Sequence, residues 1–280
     1  MDNNFILCWS SCGITSAVAG KISIEKNPNT EFYYMVIDSA HQDNERFILD
    51  LEKWYGKKIN RIRSIKYKDQ FDVIEKTGYI NGPTGARCTL ELKKEVRFEL
   101  ETRLKPDLFE PERPQYSNQI HGFEWKLSEI IRAIDYAMDF PYTNPIFPLI
   151  ENKLTKENCA QILIDAGIEI PAMYKLGYNN NNCIGCVKGG MGYWNKIRID
   201  FPETFNKMAN LERKVGHSCI KGVFLDELHP ERGRTPNPII PNCSVVCDDI
   251  APPELNLSLA KRVLFGDISI NDAIKIRNKN

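Results

Sequence analysis

Apolar and polar positions follow two rhythms along the first half of the chain, and each change of rhythm marks an element. Residues 5–9 (Phe-Ile-Leu-Cys-Trp) form a short run with no charged side chain, as in a strand buried on both faces. Residues 14–26 place Ala17, Val18 and Ile22 on one side of a helix. A second strand over 32–37 is aromatic and β-branched. A second helix over 44–55 sets Phe47, Ile48, Leu51 and Trp54 at helical spacing. Residues 59–65 alternate apolar with basic side chains, the pattern of an edge or half-exposed strand. The Gly82-Pro83-Thr84-Gly85 loop follows, then a helix from Thr89 to about Glu101. A short strand over 118–122, a helix over 127–138, a last strand over 144–149 and a helix over 155–166 complete the series, with Thr155 as N-cap.

Strands that alternate with helices imply right-handed crossovers and a parallel sheet covered on both faces, a three-layer α/β fold. Ligands in such sheets bind beyond the carboxyl ends of the strands, at the switch point. From Asn179 onward Asn, Gly, Pro and Cys become frequent and the alternation stops. Residues 1–178 are therefore read as an α/β domain. Residues 179–280 are read as a cysteine-bearing C-terminal extension packed over the sheet edge, with a small helix at 255–264.

The 280 residues are 42% hydrophobic and 26% charged, enough for a packed core, and the formal net charge is zero. No global field draws the chain to nucleic acid or to an anionic membrane. No apolar run approaches the roughly 20 residues that span a bilayer. Residues 5–9 are too short for a signal peptide, so a cytoplasmic protein with no membrane partner is expected. Nine cysteines without a secretion signal argue against a disulfide framework and for metal binding or catalysis.

The turn Ser11-Cys12-Gly13-Ile14-Thr15-Ser16 joins the first strand to the first helix. Small residues there leave backbone N–H groups at a helix N-terminus, where they and the helix dipole bind phosphate. Ser10, Ser11, Thr15 and Ser16 add hydroxyls, and Gly13 permits close approach or a positive φ. A merely capped strand–helix turn would look similar, but this one follows the first strand, and Asp38 follows the second. Asp38 suits a ribose, a metal or a helix cap. His41 suits an acid/base role, a ligand contact or a loop hydrogen bond. Cys12, at a helix N-terminus, is expected to have a depressed pKa if it is reactive, or is a tolerated small residue.

These segments together resemble the phosphoadenosine-phosphosulfate reductase-like family of the adenine nucleotide alpha-hydrolase superfamily, the ATP pyrophosphatases. That family includes sulfurtransferases of the DNA-phosphorothioation type. Its loop reads Ser-Gly-Gly-x-Asp-Ser; here Cys12 replaces the first Gly and Thr15 the Asp. Asp38-Ser39-Ala40-His41, with Asn44 and Arg46, resembles its second-strand motif. Arg87-Cys88-Thr89 with Lys93 and Lys94 resembles its Cys-then-basic segment. Gly122-Phe123 with Glu129, Arg132 and Ala133 resembles its Gly…Glu…Arg-Ala element. Phe147-Pro148-Leu149, Thr155, and Gly177-Tyr178 before Cys183-Ile184-Gly185-Cys186 resemble its final block. The resemblance covers most of residues 5–215. It implies ATP or another adenine nucleotide with Mg²⁺, with Lys93, Gly122 and Arg132 joining the loop around the anionic end. Arg offers a planar fork for phosphate or sulfate, and Lys a mobile point charge.

Cys183 and Cys186 form a C-x-x-C turn that can reach one metal, one iron–sulfur cluster, or close as a redox pair. The resemblance places Cys88 where cluster-bearing sulfonucleotide reductases carry a cysteine pair, although residue 87 is Arg. Cys159 is then the fourth ligand, or a small core residue. The resemblance implies a [4Fe–4S] cluster, while zinc fits four thiolates equally well. Cys243 and Cys247 complete the site, make a second one, or provide the catalytic nucleophile. The C-terminal Glu-Cys-Gly-(Leu/Ile)-His tail of related reductases is absent. The expected reaction is adenylation of an acceptor oxygen by ATP, followed by sulfur transfer. The acceptor is a nucleobase, a DNA backbone or a small molecule. Thiol reduction of a sulfonucleotide, and nucleotide sensing without turnover, are the alternatives.

Two further stretches have two readings each. Lys57, Lys58, Arg61, Arg63, Lys66 and Lys68 form a nucleic-acid patch or a solvated strand face. Tyr193-Trp194 with Lys196 and Arg198 stacks a base or forms the core of the extension.

Overall fold

The computed structural model describes residues 6–82, 85–104, 118–233 and 254–279. The chain begins with β1 (Ile6–Trp9), α1 (Ile14–Lys26), β2 (Thr30–Met35), α2 (Asp43–Tyr55), β3 (Ile59–Ile62) and α3 (Gln70–Thr77). A two-stranded hairpin, β4 (Asn81–Gly82) and β5 (Gly85–Ala86), leads into a single turn, α4 (Arg87–Thr89). A π-turn at Leu90–Lys94 joins α4 to α5 (Glu95–Leu104). Then come β6 (Asn118–Ile120), α6 (Leu127–Asp139), β7 (Pro145–Ile146), α7 (Pro148–Glu151), α8 (Lys156–Asp165) and α9 (Ala172–Lys175). The last helices are α10 (Met191–Asp200), α11 (Pro202–Val215), α12 (Glu254–Leu264) and α13 (Ile270–Asn278).

The five strands of the main sheet lie in the order β3-β2-β1-β6-β7, and every pairing is parallel. Side chains of the central strands alternate between two apolar layers, as the two-residue period of a strand requires. Ile6, Cys8, Phe32 and Tyr34 pack with Phe47 and Leu51 of α2, Ala17 and Val18 of α1, and Leu163 of α8. Leu7, Trp9 and Tyr33 point the other way and pack with Leu100 of α5. The three-layer expectation is met: helices cover both faces of a parallel sheet. Among the described residues, no helix is long and apolar enough to cross a membrane.

The strand expected over 59–65 is at the edge, since β3 ends the sheet, but it is shorter and covers Ile59–Ile62. Its cations are not a bare patch, however. Arg61 pairs with Glu45 and Glu52, and Arg63 pairs with Asp38 at 2.6 Å. The last strand is shorter than 144–149 predicts, because Pro148 takes the first position of α7, where its missing N–H costs nothing.

The extension departs most from expectation. Residues 191–215 are helical, and α10 and α11 pack with α3 and the hairpin around Trp194, Tyr193, Met208, Phe71 and Ile80. Trp194 is 0% exposed and Tyr193 1%, so these rings are core and not a base-stacking surface. The helices α12 and α13 lie elsewhere. Their Leu259, Val263, Ile270 and Ala273 cover Ile130 and Ile134 of α6. The described residues after 178 therefore add to the α/β body at two separate places.

Candidate functional site

The chain leaves β1 for β2 on one side, while β6 lies on the other. This reversal of direction opens a crevice beyond the carboxyl ends of β1 and β6. A cleft occupies it. The loop contributes Ser10, Ser11, Gly13, Thr15 and Ser16 to the wall. The end of β2 adds Tyr33, Tyr34 and Met35, and the segment after β6 adds His121, Gly122, Phe123 and Glu124. Glu129 and Arg132 of α6, Lys93 of the π-turn, Lys156 of α8, and Asn180, Asn181, Asn182 and Cys183 close the rest.

The loop is held by one hydroxyl. Ser16 Oγ donates to the Gly13 carbonyl at 2.9 Å, accepts from the Ser11 amide at 3.3 Å, and lies 2.9 Å from Ser11 Oγ. The positive φ expected at Gly13 falls instead at Cys12, at 58°, and Gly13 is extended with φ −90°. A left-handed residue is the conformation that a Gly at position 12 would relax. Cys12 accepts it with its thiol turned into the core, 0% exposed. The depressed pKa expected for Cys12 is therefore corrected. Burial pushes the thiol up, against a smaller opposing effect of the Tyr34 hydroxyl. Gly13 is small for a different reason: a Cβ there would stand 3.3 Å from Ser11 Oγ and 3.5 Å from the Tyr174 hydroxyl.

Gly122 brings β6 against this loop. A Cβ on it would meet the backbone N and Cα of Ser16 at 2.8 Å, so only glycine lets the two segments touch. Next to it, His121 is buried and its ring packs on Tyr136, Phe123 and Phe147. Burial, reinforced by Arg97 and Arg132, pushes its pKa down to about 3, so the imidazole is neutral at physiological pH. His121 Nε2 and Ser10 Oγ are buried without a hydrogen-bond partner. Orphaned polar atoms on a cleft wall are what a bound polar molecule satisfies.

Arg132 pairs with Glu129 at 2.7 Å and lies over the Phe123 ring. Lys93 reaches the cleft from a π-turn, a local widening that recurs at functional sites. Asp38 and His41 stand away from the cleft wall. Asp38 pairs with Arg63 on the surface, and His41 Nδ1 accepts from the Asp43 amide at the start of α2.

The cysteines separate into different surroundings. Cys183 lines the cleft. Cys183 and Cys88 pack against Ile37, Val73 and Leu92. Cys186 is buried beside Val187, and the Tyr193 hydroxyl accepts from the amides of Gly185 and Cys186 at 2.9 and 2.8 Å. Cys159 sits in the α1–α8 apolar layer with its thiol pushed up to about 12 by burial. Cys8 and Cys219 are buried, as a structural role implies. Among the described residues, no three His, Cys, Asp or Glu side chains are grouped to hold one metal ion. Cys88 packs with Cys183 in one apolar layer and against the layer of Cys186 in the next, whereas Cys159 lies apart in the α1–α8 layer. Cys243 and Cys247 lie outside the described residues.

No protein-family model matches the chain, and no curated protein matches it.

The cleft's own groups define what it can bind. Loop amides and hydroxyls, Lys93 and Arg132 suit an anionic end, and the rings of Trp9, Tyr33 and Tyr34 offer an apolar wall. Sequence reasoning missed His121, Lys156, Tyr174 and the Asn180–Asn182 stretch. The Asn run carried no chemical signal beyond a loop. Its value appears only in contact: Asn181 Nδ2 donates to the Cys12 carbonyl and to Asn44 Oδ1, both at 2.7 Å.

Proposed function

We propose that the chain is an adenine-nucleotide enzyme of the phosphoadenosine-phosphosulfate reductase-like family, coupling ATP-dependent adenylation to sulfur transfer. One observation carries the nucleotide part: the small-residue loop of the first strand opens into a cleft at the switch point of a parallel sheet, with Gly122 packed against it. The motif order given above supports the family.

In this reading the loop, Lys93 and Arg132 hold the phosphates. An acceptor oxygen attacks the α-phosphorus and pyrophosphate leaves. Hydrosulfide from the sulfide source then displaces AMP from the adenylated carbon or phosphorus: the new bond to sulfur forms as the bond to oxygen breaks, and AMP leaves carrying the acceptor oxygen. The chain's part is orientation and charge stabilisation as pyrophosphate departs. Glu124, Glu129 and the hydroxyls of Thr15 and Ser16 are hard oxygen donors on the cleft wall and would hold Mg²⁺. When bound, the ion supplies charge neutralisation at the phosphates. Cys183 is the one described cysteine on the cleft wall, and no step is routed through a cluster.

Thr15 favours a second reading, nucleotide binding without turnover, because it puts a neutral hydroxyl where the family's loop has a carboxylate. The test is to incubate anaerobically purified full-length chain with ATP, Mg²⁺, a sulfide source and candidate acceptors, and to measure pyrophosphate. Release that depends on the acceptor supports adenylation. ATP binding with no pyrophosphate release on any acceptor favours the second reading, and no ATP binding contradicts both.

A further inference from the structure

Lys156 opens α8, directly after its Thr155 cap, and lines the same cleft as the loop. Its ammonium donates to the Asn179 carbonyl at 2.9 Å and to Asn180 Oδ1 at 2.7 Å. Both acceptors are uncharged, and among the described residues Lys156 makes no ion pair. Arg132, on the same wall, is already paired with Glu129. Glu124 is close, yet its Oε2 accepts from the Lys156 backbone amide at 2.7 Å. Burial holds the ammonium below the usual lysine range, while Glu124 and Glu129 act in the opposite sense.

An ammonium partly withdrawn from water and hydrogen-bonded only to neutral acceptors gains from a negative charge placed beside it. That arrangement is relieved when a ligand brings the negative charge. The placement fits such a ligand. Asn180 holds Lys156, and the next residue, Asn181, is bonded to the Cys12 carbonyl of the phosphate loop. One short segment of chain thus ties the ammonium to the loop.

We propose that Lys156 is a ligand-binding cation, which takes an anionic oxygen of the nucleotide seated at residues 10–16 while Asn179 and Asn180 hold it in position beforehand. This rests on the nucleotide reading above. It adds a charge from α8 that the family motifs do not include, and it makes the cleft selective for nucleotides over nucleosides.

The test is calorimetric titration of full-length wild type, Lys156→Met and Lys156→Arg with ATP and, separately, with adenosine. Lys156→Met is expected to weaken ATP by about tenfold or more and adenosine by less than about twofold. Lys156→Arg should recover most of the ATP affinity. ATP affinity in Lys156→Met within about twofold of wild type overturns the proposal. Equal weakening of both ligands also overturns it, because that marks a structural role. Wild type that binds neither ATP nor adenosine removes the nucleotide reading and this inference with it. Wild type that binds adenosine as tightly as ATP overturns this inference alone.

Discussion

His121 shows how burial sets chemistry at a single residue. Its folded pKa, about 3, lies below the ordinary value of 6.5. The unfolded chain therefore binds more protons as pH falls between those values, and folding stability present above about pH 6.5 is lost toward pH 3. From pH 7 to pH 4 the loss from this residue is on the order of 3 kcal/mol. His121→Phe keeps a ring among Tyr136, Phe123 and Phe147 and removes the titration. Urea unfolding at both pH values should show a smaller acid loss in the variant. An unchanged loss would mean that His121 is hydrated in the folded protein. The sequence carried little of this. It named Gly122 and Phe123 as a motif, but the neighbouring histidine's burial comes from β6 being an inner strand and from aromatic rings distant in sequence. Cys12 gives the complementary lesson: position at a helix start suggested a reactive thiol, and the direction of its side chain decided otherwise.

Elements with a clean period were legible. The α1 helix runs over Ile14–Lys26 as expected, and Thr155 caps α8 by accepting from the Asn158 amide. The missed elements lacked that signal. The α3 helix has only eight residues, set by the Asp69 cap and the left-handed Gly78. The α10 helix, MGYWNKIRID, buries Gly192 and Asn195 beside Tyr193, Trp194 and Ile197 and exposes Ile199, so it shows no clean apolar stripe. Within the site, the β6–α1 contact is the element-scale feature that matters most. Gly122→Ala forces a methyl against the Ser16 backbone and should lower stability by about 1–3 kcal/mol, because neither segment can yield freely. It should also weaken ATP binding by about tenfold, since it displaces the first turn of α1. Gly190→Ala is the control, as a Cβ there meets nothing within 4 Å. Thermal melts and ATP titrations of the two variants check this, and equal behaviour of both would contradict the role given to Gly122.

At the scale of the whole molecule, alternation of strand and helix gave the layers, but the strand order that puts the reversal of direction beside β1 is set by tertiary packing and was not readable. The additions after residue 178 were not readable in that way. Residues 180–183 close the cleft, α10 and α11 extend the core beside α3, and α12 and α13 cover α6. Composition marked the region as different without saying where each part would pack. The assembled molecule places cations, hydroxyls and a neutral imidazole around one crevice, and the central claim is that a nucleotide sits there. The most direct measurement is a crystal structure of the full-length chain with a non-hydrolysable ATP analogue. Phosphate oxygens are expected within hydrogen-bonding distance of the amides of residues 13–16, with the adenine ring inside the cleft. Analogue bound elsewhere, with the loop hydrogen bonds of Ser16 and Tyr174 unchanged, would contradict it.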